Sequence, residues 1–128
     1  MPSVNGNNPA IRKILIADDS ATERVNLTRI LETAGYQVIP AQSGNEARAL
    51  AESQLPDLVI LDIMMEDGDG YQACRALKRN PTTKSIPVVM ISSKSNSVDK
   101  QWAQKLGANA YIVKPYTDED VLQQIAAF

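Results

Sequence analysis

Two carboxylates stand side by side where the apolar run Ile14–Ala17 ends, in the stretch "ILIADDSA". Charges as close as those of Asp18 and Asp19 repel by about 4 kcal/mol at ~4 Å in an effective dielectric near 20, so the pair is either a solvated turn or a seat for a cation. Three more apolar runs end in reactive side chains: Leu58–Leu61 is followed by Asp62, Val88–Ile91 by Ser92 and Ser93, and Ala110–Val113 by Lys114-Pro115. As parallel strands of one sheet, these runs deliver three carboxylates, a hydroxyl and an ammonium to the carboxyl-terminal edge, where open α/β sheets bind their ligands. The excess of carboxylates over the one lysine is costly in a partly desolvated cleft, and a divalent cation cancels it. Oxygen donors without His or Cys favour Mg²⁺, with Mn²⁺ as the alternative. The set suits phosphoryl transfer, in which an aspartate acts as nucleophile while cations stabilise the equatorial oxygens.

The composition removes other chemistries. The 128 residues contain no histidine, which excludes Ser-His catalysis, His-based metal sites and phosphorylation on a histidine of this chain. "EDGDGYQ" superficially looks like a calcium loop, but a loop with Gly70 at its sixth position starts at Met65 and ends at Ala76, neither of which is a ligand. A flavin site on such a fold needs a phosphate loop after the first strand, and "DDSATE" repels phosphate. A Mg²⁺-dependent aspartyl-nucleophile phosphatase stays open as an alternative function, although such enzymes usually carry a second acid two residues after the nucleophile, where Met64 stands.

The elements that must position these groups follow from periodicity. The four strong runs, with a weaker one at Tyr36–Pro40, are short and β-branched, as expected of strands buried on both faces. Between them lie helical patterns. Ser20–Glu23 and Ser43–Glu46 are capping-box signatures; the first leads into Leu27, Ile30, Leu31 and Ala34 before Gly35, the second into Ala47, Leu50 and Ala51. Tyr71, Cys74 and Leu77 form a third stripe, Val98, Trp102 and Leu106 a fourth, and Thr117–Asp120 caps a last helix whose Val121, Ile125 and Phe128 are expected to face inward. Trp102 and Cys74 are read as packing residues. The order βαβαβαβαβα predicts a flavodoxin-like doubly wound α/β sandwich, (βα)5, with a five-stranded parallel sheet of order 2-1-3-4-5. Residues 1–10, rich in Asn and Pro, read as a flexible tail, and 11–128 as one domain.

A net charge of −2 supplies no basic footprint for nucleic acid or an anionic membrane. No run is long enough to span a bilayer, "MPSVNGNNPAIRK" lacks the apolar centre of a signal peptide, and the single cysteine suits a reducing compartment. The expectation is a cytoplasmic protein.

The ordered set "ILIADDS" (14–20), "LVILDIMMEDGDG" (58–70), "VVMISSK" (88–94) and "GANAYIVKP" (107–115) resembles the receiver domain of two-component response regulators, the CheY-like family, over about residues 11–128 without gaps between motifs. The resemblance implies that Asp62 is the phospho-acceptor, taking its phosphoryl group from a phosphohistidine on a histidine kinase or a His-phosphotransfer protein. It implies Mg²⁺ bound directly by Asp19, Asp62 and the backbone carbonyl of Met64, with Asp18 acting mainly through water. Lys114 would neutralise the phosphoryl group, Ser92 would swing toward it, and Tyr111 would rotate inward, changing the face of helix 4, strand 5 and helix 5 through which an output protein is met. A cis Lys114–Pro115 bond is also implied. Tyr111 read without the family is a half-buried strand aromatic, and Lys100 and Lys105 on helix 4 are either a solvated face or part of that contact face.

Departures are local. Glu66 replaces the family's usual Pro, Gly68 a frequent Met, and Ser92 the commoner Thr. Met64, Ser93, Lys94 and Glu66 line the rim, where the family tunes phosphate lifetime. The chain reaches its fifth helix without a further output domain, so the expected output is protein contact by a monomer or weak dimer, or the draining of phosphate from a shared kinase. "IPVVMISSKSNSVDKQWAQKLGANAYIVKPY" resembles the stand-alone regulators of type IV pilus twitching motility.

Overall fold

Strict alternation along the central strands divides the interior into two cores. A computed structural model describes residues 11–128; the expected tail, residues 1–10, lies outside the described residues. Strands β1 (Lys13–Ala17), β2 (Gln37–Ala41), β3 (Leu58–Asp62), β4 (Val88–Ser92) and β5 (Ala110–Val113) alternate with helices α1 (Ala21–Thr33), α2 (Gly44–Gln54), α3 (Gly70–Arg79), α4 (Ser97–Lys105) and α5 (Asp118–Ala126). All pairings are parallel and the order is β2-β1-β3-β4-β5, the expected topology.

On one face Leu15, Val59, Leu61, Val88 and Met90 meet Ala47 and Ala51 of α2, Cys74 and Leu77 of α3 and Ala103 of α4. On the other, Ile14, Ile16, Leu58, Ile60, Val89 and Ile91 meet Leu27, Ile30 and Leu31 of α1 and Val121 and Ile125 of α5. Successive strand residues point to opposite faces, so a strand covered on both reads as one continuous apolar run. Cys74 packs as expected: it is buried, its thiol donates to the Leu106 carbonyl at 3.7 Å, and burial pushes it up to about 11, leaving it protonated at neutral pH.

Three sequence expectations are corrected. Of the fourth apolar stripe only Leu106, just past α4, packs against the core: Val98 is 71% and Trp102 49% exposed, and α4 itself buries only Ala103. Trp102 is therefore not a core residue. Helical spacing puts Val98 and Trp102 on one face but leaves open which way that face turns, and the small Ala103 lets α4 lie close to the sheet with the larger residues outward. Phe128, one residue past the C-cap of α5, is 39% exposed, and Ala34 at the end of α1 is exposed. The two Ser-x-x-Glu boxes are half made. Ser20 and Ser43 accept from the Glu23 and Glu46 amides, but Glu46 Oε1 takes the Gln42 amide and the Glu23 carboxylate goes elsewhere. Complete reciprocal boxes form at Thr117/Asp120 and, unforeseen, at Asp69/Gln72. Among the described residues no helix is long and apolar enough to cross a membrane.

Candidate functional site

Sheet register brings the strand-terminal residues level. Ala17 is paired with Leu61, so Asp18 and Asp62 follow side by side; Asp62 is paired with Ile91, and Ser92 with Val113, which places Lys114 one strand further on. The Lys114 amide donates to the Ser92 carbonyl at 2.8 Å, and the Lys114–Pro115 peptide is cis, as the resemblance implied.

One carboxylate oxygen each from Asp18, Asp19 and Asp62 lies within 4.8 Å of the others. Asp18 and Asp62 are buried, whereas Asp19 is exposed at the rim. Asp18 is fixed from both sides: its Oδ1 accepts the Ser20 amide at 2.9 Å and its carbonyl accepts Arg24 Nη1 at 2.7 Å. Asp19 Oδ2 accepts the Glu66 amide at 3.2 Å, tying the cradle to the loop after β3. Lys114 Nζ stands 3.4 Å from Asp62 Oδ1, 3.5 Å from Asp18 Oδ2 and 3.5 Å from Glu23 Oε1.

The electrostatics follow from that arrangement. Burial, with the Asp18 charge next, raises the Asp62 carboxyl from the ordinary 3.8 to about 6; Lys114 opposes this without cancelling it, and Asp19 adds to it. Burial depresses the Lys114 ammonium, but Asp62, Asp18 and Glu23 outweigh it and hold it above its ordinary range. All-oxygen donors converging at this distance, with net negative charge after Lys114 is counted, fit a hard divalent cation such as Mg²⁺.

The loop that frames the site is stapled to α2. Gly44 and Asn45 amides donate to the carbonyls of Gly68 and Asp67, at 2.8 and 3.2 Å, and Asn45 Nδ2 donates to Asp67 Oδ1 at 2.9 Å. Asp67 and Gly68 both have positive φ, 54° and 88°, and a Cβ on Gly68 would press on Asn45. The turn thus needs glycine where the family frequently carries methionine. Gly70 is equally constrained, since a Cβ there would meet the Asp62 carbonyl oxygen at 2.5 Å.

Ser92 is wholly buried, its Oγ accepting the Lys94 amide at 3.0 Å, and Tyr111 donates its phenol to the Lys94 carbonyl at 2.8 Å while half-buried. Serine and tyrosine thereby grip the same loop residue. Ser93, Lys94, Met64 and Glu66 are exposed around the rim. Of the residues singled out from sequence, Asp18, Asp19, Asp62 and Lys114 come together in one cluster; Ser92 adjoins it through the strand pairing. Glu23 was missed as a site residue, because its signature is that of a helix cap.

The response regulator receiver domain model matches residues 14–126. The chain belongs to that family. Receivers are the phosphate-accepting switches of two-component signalling and bind Mg²⁺ through an acidic pocket. The receiver is 42% identical to Protein PilH of Pseudomonas aeruginosa, over 90% of this chain and 95% of that one. It is 38% identical to Protein PilG of the same organism, over 90% and 85%. Among solved structures, chemotaxis protein CheY4 of Vibrio cholerae matches with a TM-score of 0.87 at 30% identity, covering 92% of this chain and 98% of that chain.

Proposed function

We propose that Asp62 accepts a phosphoryl group from the phosphohistidine of a histidine kinase or His-phosphotransfer protein, and that the resulting charge switches protein contacts. The observation that carries this reading is the buried Asp62 carboxylate, 3.4 Å from Lys114 and inside the three-aspartate cradle. An Asp62 carboxylate oxygen attacks phosphorus in line; the P–N bond to the donor imidazole breaks and its electron pair stays on the ring nitrogen. Asp19, Asp62 and the Met64 carbonyl would hold Mg²⁺, with Asp18 acting through water; Mn²⁺ suits the same donors. When bound, the cation supplies positive charge to the equatorial oxygens. Lys114, 3.4 Å from Asp62 Oδ1, would add its ammonium.

The acyl phosphate adds roughly −2 charge and three strong acceptors. Ser92 turns its hydroxyl from the Lys94 amide to the phosphoryl group. This loosens the loop that Tyr111 holds through the Lys94 carbonyl, so Tyr111 rotates inward and reshapes the α4–β5–α5 face. A ~100-fold preference between states needs about 2.7 kcal/mol, within reach of one or two charge-assisted hydrogen bonds. Exposed Val98 and Trp102 on α4 support a protein contact there. Met64, in place of a second acid, favours a switch over a turnover phosphatase. Likeness to PilH over 95% of its length supports a single-domain cytoplasmic regulator of pilus or chemotaxis-like signalling, acting through an output protein or as a phosphate sink.

The test is acid-labile labelling by acetyl phosphate and Mg²⁺. Wild type is labelled and Asp62→Asn is not; label retained on another residue of the variant refutes the acceptor assignment.

A further inference from the structure

The Lys114 ammonium stands 3.4–3.5 Å from three carboxylates, so its charge is already shared among three ion pairs before any phosphoryl group arrives. Two of those partners belong to the cradle and cannot leave it; the side chains of Asp18 and Asp62 are 9% and 8% exposed. The third, Glu23, is different in kind. It lies outside the three-aspartate cluster, sits in the first turn of α1, and its side chain is 36% exposed. Water can therefore take over a released Glu23 carboxylate at little cost, which is not true of a buried one. Its helix-capping work is done by its backbone amide on Ser20, and the reciprocal half of that box is not formed. Among the described residues, the ion pair of this carboxylate is with Lys114.

We propose that Glu23 is a positioning residue that holds Lys114 in the resting site and must yield it before the phosphoryl group is accepted, so that it acts as a brake on the reaction at Asp62. The inference rests on Asp62 being the acceptor. With acetyl phosphate, a bond forms between an Asp62 oxygen and phosphorus, the P–O bond to the acyl oxygen breaks, and acetate leaves with the electron pair. Negative charge accumulates beside Lys114 throughout, and a carboxylate that competes for the ammonium slows that step.

Initial labelling rates with acetyl phosphate and Mg²⁺ are to be compared for wild type, Glu23→Ala and Glu23→Asp, with thermal melts confirming that all three fold. Ala is tolerated at a partly exposed helical position. Removing a partly exposed ion pair corresponds to about a two- to fivefold faster rate for Glu23→Ala. Glu23→Asp retains the charge and the first-turn acid but withdraws the carboxylate by one methylene, so it also runs faster than wild type. A Glu23→Ala rate at or below wild type overturns the proposal. So does a fast Glu23→Ala beside a Glu23→Asp at the wild-type rate, which would mean that Glu23 acts by its general field or helix role and not by holding Lys114. Absence of label on folded wild type refutes the acceptor reading itself, and the brake with it.

Discussion

Asp62→Asn should stabilise this protein when no metal is present. The native Asp62 carboxyl is raised from 3.8 to about 6, first by burial and then by the Asp18 charge. A shift of roughly two units corresponds to about 3 kcal/mol against the ionised form at neutral pH. The folded state binds this proton more tightly than the unfolded chain, so the associated stability is present in full below 3.8 and is lost as pH rises through about 6. Asparagine matches the neutral carboxyl in shape and never acquires the charge. The opposed attraction of Lys114 is already contained in the net shift. In EDTA at about pH 7.5 the variant is expected to gain up to about 3 kcal/mol in urea unfolding, or roughly 10 °C in Tm for a chain of this size. At about pH 4 the gap closes. Adding Mg²⁺ raises the wild-type midpoint more than that of the variant, because only the wild type has the full donor set. A variant no more stable than wild type in EDTA at about pH 7.5, or a gap that widens toward low pH, refutes the picture of a charge-strained cradle.

Gly70→Ala would drive a methyl into the Asp62 carbonyl at 2.5 Å and the Ile63 Cα at 2.8 Å. Neither backbone atom can retreat cheaply, so a loss of about 1–3 kcal/mol is expected in urea melts together with slower labelling of Asp62; unchanged stability refutes the close approach. Trp102 should be readily quenched by acrylamide in the native state, as its 49% exposure requires. Fluorescence shielded like that of a core indole would mean that α4 is turned the other way.

The sequence by itself determined the layering, the strand order expected of that layering, and the ends of the strands at which chemistry stands. Those properties are written locally: period-two burial makes the continuous runs "ILIA", "LVIL" and "VVMI", and each is followed at once by its reactive residue. Asp18, Asp19, Asp62 and Lys114 could be read as one site because parallel strands carry their carboxyl ends to the same edge. What lies between elements was decided only in three dimensions. The Ser20–Glu23 signature is that of a capping box, yet Lys114 draws the Glu23 carboxylate away from the helix terminus because an ammonium among buried aspartates is the stronger partner. Val98 and Trp102 share a helical face, but whether it meets the sheet or water depends on how closely Ala103 lets α4 approach. The brace of Asn45 on Asp67, and the proton affinity of Asp62, likewise depend on groups remote in the chain. Local patterns set which residues can form an element and which face they share. The partners of those faces, and the charges that meet there, exist only once sheet register and helix packing have brought distant segments within a few ångströms.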